Sequence, residues 1–231
     1  MLESRQLTKR FGKKTALDSV TLPLEAGHVY AMLGPNGSGK TTWMKLAASL
    51  LKPDAGEMLF RGRPVGIDSR RHVAYMSTEP FFYRWMTARD VGLFFRRFYE
   101  DFEPEAYAGL LARFELEERM RVSELSSGMM AKLKVAATLA RSADVWLLDE
   151  PFNGIDLIAR DDIADAILER LEADRLIVLS SHLVEELASV CDRAVFMRDS
   201  HLLAVTDMRA SSRGMTEIYR EIYRPERRAR A

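Results

Sequence analysis

Residues 34–42 read Gly-Pro-Asn-Gly-Ser-Gly-Lys-Thr-Thr and fit the spacing G-x-x-x-x-G-K-[ST]. A loop of this kind turns successive backbone N–H groups inward. The helix that follows adds the positive end of its dipole, so the stretch suits phosphate oxygens. Gly34, Gly37 and Gly39 supply the open backbone conformations, and Pro35, Asn36 and Ser38 complete the turn that would wrap a nucleotide. Lys40 is placed to reach the β- and γ-phosphates as a point charge, and the Thr41 hydroxyl to bind the accompanying magnesium ion. Thr42 continues the helix.

A second chemical group stands at Asp149-Glu150, after the apolar run Val145-Trp-Leu-Leu148. Carboxylates at the carboxyl end of a buried parallel strand sit where open α/β sheets bind ligands. Asp149 would hold magnesium, and Glu150 would polarise the water that attacks the γ-phosphate. Taken alone, the same hexapeptide also reads as an acidic turn that caps the next helix.

These residues need elements to position them. His28-Val-Tyr-Ala-Met-Leu33 is a short apolar run of strand type, and Trp43 to Leu51 is helical in composition, which gives the strand, loop and helix that the phosphate loop requires. Leu176-Ile-Val-Leu179 predicts another buried strand, followed by Ser180-Ser-His182. Met130 to Ala140, Thr87 to Phe102, Pro104 to Phe114 and Met215 to Tyr223 are helical stretches, and Glu3 to Leu24 is β in character.

With these motifs in place, nearly the whole chain resembles the nucleotide-binding subunits of ABC transporters. Leu125-Ser-Ser-Gly-Met129 resembles the family's signature segment, with Ser126 and Gly128 at the matching positions. The resemblance implies that Ser126 and Gly128 touch the γ-phosphate of an ATP bound by a second subunit. A serine hydroxyl and a bare backbone at a helix N-terminus agree with that chemistry, although Ser126 by itself reads equally as a helix cap. Asn153-Gly-Ile-Asp156 resembles the loop that contacts the opposing subunit. His182 resembles the switch histidine and joins Glu150 and Lys40 as a catalytic candidate; read without the resemblance, a lone histidine at a strand end is more often structural. Phe11 resembles the aromatic that stacks on adenine; read without the resemblance, it is also a candidate core residue.

One position departs from the family. Where a glutamine reaches magnesium through its amide oxygen, Val73-Ala-Tyr-Met-Ser-Thr78-Glu79 puts Thr78. Thr78 is the third metal candidate beside Thr41 and Asp149, acting through a bridging water, with Glu79 as an alternative ligand. Slow turnover is the expectation, with this segment serving mainly as a mechanical link. Ser127 and Met129 depart from the commonest signature, and similar forms in small exporter subunits imply export.

Composition bounds the reading. The chain has 231 residues, 34 Lys plus Arg against 34 Asp plus Glu, and 47% apolar residues. A zero formal charge gives no ground to expect nucleic acid as a partner. The single cysteine, Cys191, excludes an internal disulfide framework and suits the cytosol. The start is too polar for a signal peptide, and no apolar run approaches the roughly 20 residues of a spanning helix.

The expected fold is therefore α/β: a P-loop NTPase (RecA-like) core with an amino-terminal antiparallel β portion and an inserted α-helical subdomain. Residues 1–79 and 144–210 would form the nucleotide-binding core, and 80–143 the helical subdomain with the signature. Residues 211–231 would form a C-terminal helix and a tail made basic by Arg220, Arg224, Arg227, Arg228 and Arg230. The aromatic stripe Val91, Leu93, Phe94, Phe95, Phe98 and Tyr99 is expected to pack mainly inward, with a minority free to line an external groove. The segment 80–86, with Phe81, Phe82, Tyr83, Arg84 and Trp85, would receive a short helix of a membrane subunit, as the resemblance implies.

The expected cofactors are ATP and Mg2+. The expected partners are a second cassette, identical or related, and a separate multi-span permease, with the chain cytoplasmic and peripheral on the inner face of the membrane. Alternatives are a soluble mechanical ATPase acting on ribosomes or DNA, a nucleotide-gated assembly module with little hydrolysis, and a metabolite kinase, the last disfavoured by the absence of any recognisable acceptor site.

Overall fold

The structure is a computed structural model that describes residues 1–79 and 81–224, excepting the side chains of Leu157 and Ile158. Strands β1 (Leu2–Phe11), β2 (Lys14–Leu24), β4 (Ala55–Phe60) and β5 (Arg63–Pro64) form an antiparallel sheet of order β2-β1-β4-β5. The second sheet has the order β10-β9-β3-β8-β7-β6, from β3 (His28–Leu33), β6 (Val73–Met76), β7 (Val145–Asp149), β8 (Leu176–Ser181), β9 (Arg193–Arg198) and β10 (His201–Asp207). Its pairings are parallel except β9 with β10.

Alternation along these strands divides the interior into two cores. Tyr30, Met32, Val145, Leu147, Leu176, Val178, Val195 and Met197 point to one face. There they meet helix α1 (Lys40–Ala47) through Trp43, Met44 and Leu46, together with Leu2, Leu7, Leu17 and Leu22 of the small sheet. Val29, Ala31, Leu33, Trp146, Leu148, Ile177, Leu179, Ala194 and Phe196 point to the other face, which the remaining longer helices cover. The two-residue period of a strand produces this split, and each fully buried large side chain contributes about 1.5–3 kcal/mol. Trp43 has its indole satisfied as well, since Nε1 donates to Ser4 Oγ at 3.2 Å.

Helix α2 (Ile67–Arg70) is a single short turn before β6. Between β6 and β7 lie α3 (Ala88–Phe98), α4 (Pro104–Arg113) and α5 (Ser127–Leu139). Each has a local start signal. Thr87 and Asp90 form a reciprocal capping box, Pro104 occupies the first turn of α4, and Ser126 Oγ accepts from Met129 N–H at the head of α5. Arg141 ties this helical segment to the sheet. Its guanidinium is paired with Asp101 at 3.0 Å, donates to the Val73 and Arg71 carbonyls, and lies 4.0 Å from the Tyr99 ring. Helices α6 (Leu157–Leu168), α7 (Val184–Leu187) and α8 (Met215–Tyr223) complete the chain.

Three expectations shift. Helix α1 ends at Ala47 rather than Leu51, because Ser49 turns to a positive φ of 56 and the Leu50 N–H bonds back to Lys45. Helix α3 ends at Phe98, where Tyr99 adopts an extended conformation and Phe102 bridges to Arg141. The aromatic stripe does not pack wholly inward. Val91 and Phe95 are buried, whereas Leu93, Phe94 and Phe98 are exposed, so part of the stripe is left outside the core. Of the basic tail, Arg220 and Arg224 are described; Arg227, Arg228 and Arg230 lie outside the described residues, as does Pro80.

Candidate functional site

Strand register brings the chemistry together. Leu33, the residue before the phosphate loop, pairs with Ser181, the residue before His182. Ser180 pairs with Asp149 on the next strand, and Met76 with Leu148 on the strand beyond. Four chain segments therefore leave neighbouring strands at the same carboxyl edge, about 4.8 Å apart from strand to strand. A cavity of about 500 Å³ opens there, lined on one side by Asn36 to Thr42 and on the other by Ser77, Thr78, Glu79, Asp149 and Glu150.

The loop is held from within. Lys40 is almost fully buried, and its ammonium donates to Gly34 O at 2.7 Å and Pro35 O at 3.3 Å. Burial lowers its pKa, opposed by the charges of Glu150 and Asp149. Gly34 and Gly39 have φ of 154 and 109, and a Cβ on Gly34 would collide with the Met197 carbonyl and one on Gly39 with the Ala16 carbonyl. No other residue fits either place without backbone movement. The first turn of α1 carries no acidic residue, so its positive end is unopposed locally. Ser38 Oγ is buried in the loop without a hydrogen-bond partner, an arrangement that suits an incoming phosphate oxygen.

Across the cavity, Thr41 Oγ1 donates to Asp149 Oδ2 at 2.8 Å, and Ser180 Oγ donates to Asp149 Oδ1 at 2.5 Å. Asp149 is completely buried. A hydroxyl and one carboxylate are a sparse donor set, which matches magnesium, an ion that keeps waters and binds phosphate oxygens rather than taking an all-protein cage. Glu150 follows in a left-handed conformation with φ 54, a strain of order 1–3 kcal/mol for a residue with a side chain. Its N–H donates to Ser180 Oγ at 3.0 Å, and its Oε2 accepts from His182 Nδ1 at 2.9 Å. Phe11 is half exposed at the end of β1 and lines the cavity mouth, where a flat aromatic face is open to a base.

The signature residues lie elsewhere. Ser126 and Gly128 are not among the residues lining this cavity. They sit instead beside the 153–156 loop, since a Cβ on Gly128 would approach Gly154 O to 2.9 Å and one on Gly154 would approach Ser127 Oγ to 3.3 Å. The loop of residues 34–42 and the segment from Ser126 to Gly128 thus lie at different places in one chain.

Sequence reasoning missed four residues. Lys14 and Lys45 line the cavity and add positive charge beside Lys40. Ser180 bridges Asp149 and the Glu150 backbone, and Lys134 on α5 donates to Thr78 O at 2.7 Å. Lys45 sits on the helix after the loop and was within reach of the motif; the others are joined to the site by folding alone.

The fold and site define a nucleotide-binding P-loop cassette, and comparison with known proteins gives the family. The family described as ABC transporter matches residues 17–153. The ABC transporter ATP-binding protein YtrB of Bacillus subtilis (strain 168) is 32% identical over 215 residues, spanning 90% of this chain and 72% of that protein. The Nod factor export ATP-binding protein I of Burkholderia lata is 32% identical over 211 residues, spanning 88% of this chain and 69% of that protein. Among solved structures, an ATP-binding subunit of an ABC transporter superposes with TM-score 0.85 at 23% identity over 96% of this chain and 99% of that one. A dimeric ATP-binding cassette in a post-hydrolysis state with ADP and Pi gives 0.81 at 22% identity, over 91% and 100%. At those identities the structures establish the fold. The chain belongs to the ABC transporter family as an ATP-binding cassette subunit, and it is an ATPase.

Proposed function

We propose that two such cassettes close around ATP and drive a separate membrane permease, in the direction of export. The observation that carries this reading is the separation of the phosphate loop from Ser126 and Gly128 within one chain. A signature that cannot reach its own nucleotide has a use when a second cassette supplies the nucleotide. The exporter name of the Burkholderia lata relative supports the direction.

In this reading the loop from Gly34 to Thr42 and Lys40 bind the phosphates, and Phe11 stacks on the base. Thr41 and Asp149 would hold magnesium, with Thr78 reaching it through water. Bound there, the metal neutralises charge on the phosphate oxygens. Glu150 is the base that orients the attacking water. His182, hydrogen-bonded to its carboxylate, holds Glu150 in place and senses the γ-phosphate.

The permease contact is the open face around residues 81–98. Phe81, Tyr83, Trp85, Phe94 and Phe98 are exposed there, and the Tyr83 and Trp85 rings stack at 5.9 Å. Large exposed aromatics in one patch mark a binding surface. No helix among the described residues is long and apolar enough to cross a membrane, so a partner would supply the span.

Hydrolysis tests the site. Glu150→Gln should bind ATP as wild type does and lose about 10²-fold or more in turnover. Equal turnover by the two proteins would remove Glu150 from its assigned role.

A further inference from the structure

Lys134 is nearly as buried as Lys40, yet the phosphate site does not include it. It stands on α5 among Leu133, Val135, Ala136 and Ala137, all buried apolar residues. An ammonium in such a place costs several kcal/mol in desolvation, so stability alone does not explain it. Burial pushes its pKa down to about 8.

Its contacts supply the explanation. Nζ donates to the Thr78 carbonyl at 2.7 Å and lies 5.9 Å from the centroid of the Phe81 ring. Thr78 lines the ATP cavity, and Phe81 lines a groove with Phe94, Phe95 and Tyr99 on the open aromatic face. The helix that carries Lys134 is capped by Ser126. One buried cation therefore touches a wall of the nucleotide site and the edge of the docking face, and sits on the helix headed by the signature.

We infer that Lys134 is a positioning residue: through the Thr78 carbonyl it holds segment 77–79 against the nucleotide and links that segment to α5 and to the docking face. The Thr78 side chain is short, so its place at the cavity depends on where its backbone is held. The Glu79 N–H to Ser77 Oγ bond is internal to the segment and cannot anchor it to the rest of the molecule. The inference rests on the hydrolytic site proposed above.

The test compares full-length wild type, Lys134→Met, Lys134→Arg and Glu150→Gln by steady-state ATP hydrolysis and thermal melting. Lys134→Met should hold its Tm, because a buried charge is removed, and hold KM, while kcat falls about 10-fold through misplacement of the segment. Lys134→Arg keeps a donor and should turn over faster than Lys134→Met. Unchanged kcat in Lys134→Met, a kcat loss that comes with a lower Tm or a raised KM, or equal turnover in the Met and Arg variants would each overturn the inference. If Glu150→Gln is as active as wild type, the underlying site reading fails and this inference fails with it. If Glu150→Gln is inactive while Lys134→Met matches wild type, this inference alone is lost.

Discussion

Glu150 carries backbone strain at the point where its carboxylate is held by His182 and its N–H by Ser180. Ser180 is the less obvious member of that arrangement, because it donates to Asp149 and accepts from Glu150 with one hydroxyl. Ser180→Ala leaves Asp149 Oδ1 short of its donor in a buried place, while the Glu150 N–H keeps the Ser180 carbonyl at 3.2 Å, and should cost about 1–3 kcal/mol in a denaturant melt. A loss well under that range would mean water restores the bond. The contrast with the phosphate loop shows what a sequence can convey. Residues 34–42 are contiguous, so their spacing alone predicts a turn of inward N–H groups. Ser180 and Lys134 act on residues 31 and 56 positions away, and no local pattern encodes those meetings. Thr78 was legible as a departure, but the lysine behind it was not.

Elements were legible to the extent that their patterns are local. His28 to Leu33 and Met215 to Tyr223 match β3 and α8, since an unbroken apolar run and a clear helical period each define their own ends. Where helix ends depend on tertiary partners, as at Ala47 and Phe98, composition ran past them. The exposed aromatics of α3 were legible only as a minority reading, because an amphipathic period does not say whether the outer aromatics will also be covered. Trp85 is 67% exposed, so Trp85→Ala should change stability by no more than about 0.5 kcal/mol while uncoupling transport from hydrolysis. Transport at the wild-type rate in that variant would place the contact elsewhere. Helix α8 is anchored differently. Tyr223 Oη donates to Met197 O at 2.7 Å, with Leu33 O, directly behind Gly34, 3.2 Å from the same hydroxyl, and burial raises the pKa of this phenol. Tyr223→Phe should cost about 0.5–1.5 kcal/mol and speed amide exchange along α8. Unaltered exchange would show that Met215 and Ile218 packing suffices.

At the scale of the molecule, two cores share one central sheet, and the phosphate loop, segment 77–79, Asp149-Glu150 and His182 leave its carboxyl edge. Parallel pairing of β6, β7, β8 and β3 enforces that convergence. The separated signature half and the uncovered aromatic face are both unfinished within one chain. In the proposed reading a second cassette completes the first, and a membrane subunit covers the second. The central claim is that this ATPase powers a separate permease, and isolation of the tagged chain from its native membranes in mild detergent, with mass spectrometry of what accompanies it, tests that most directly. The account predicts a multi-span membrane protein in stoichiometric amount, lost in the Trp85→Ala variant. Ribosomal or DNA-bound companions in its place would contradict the account and move the chain to the soluble mechanical ATPases.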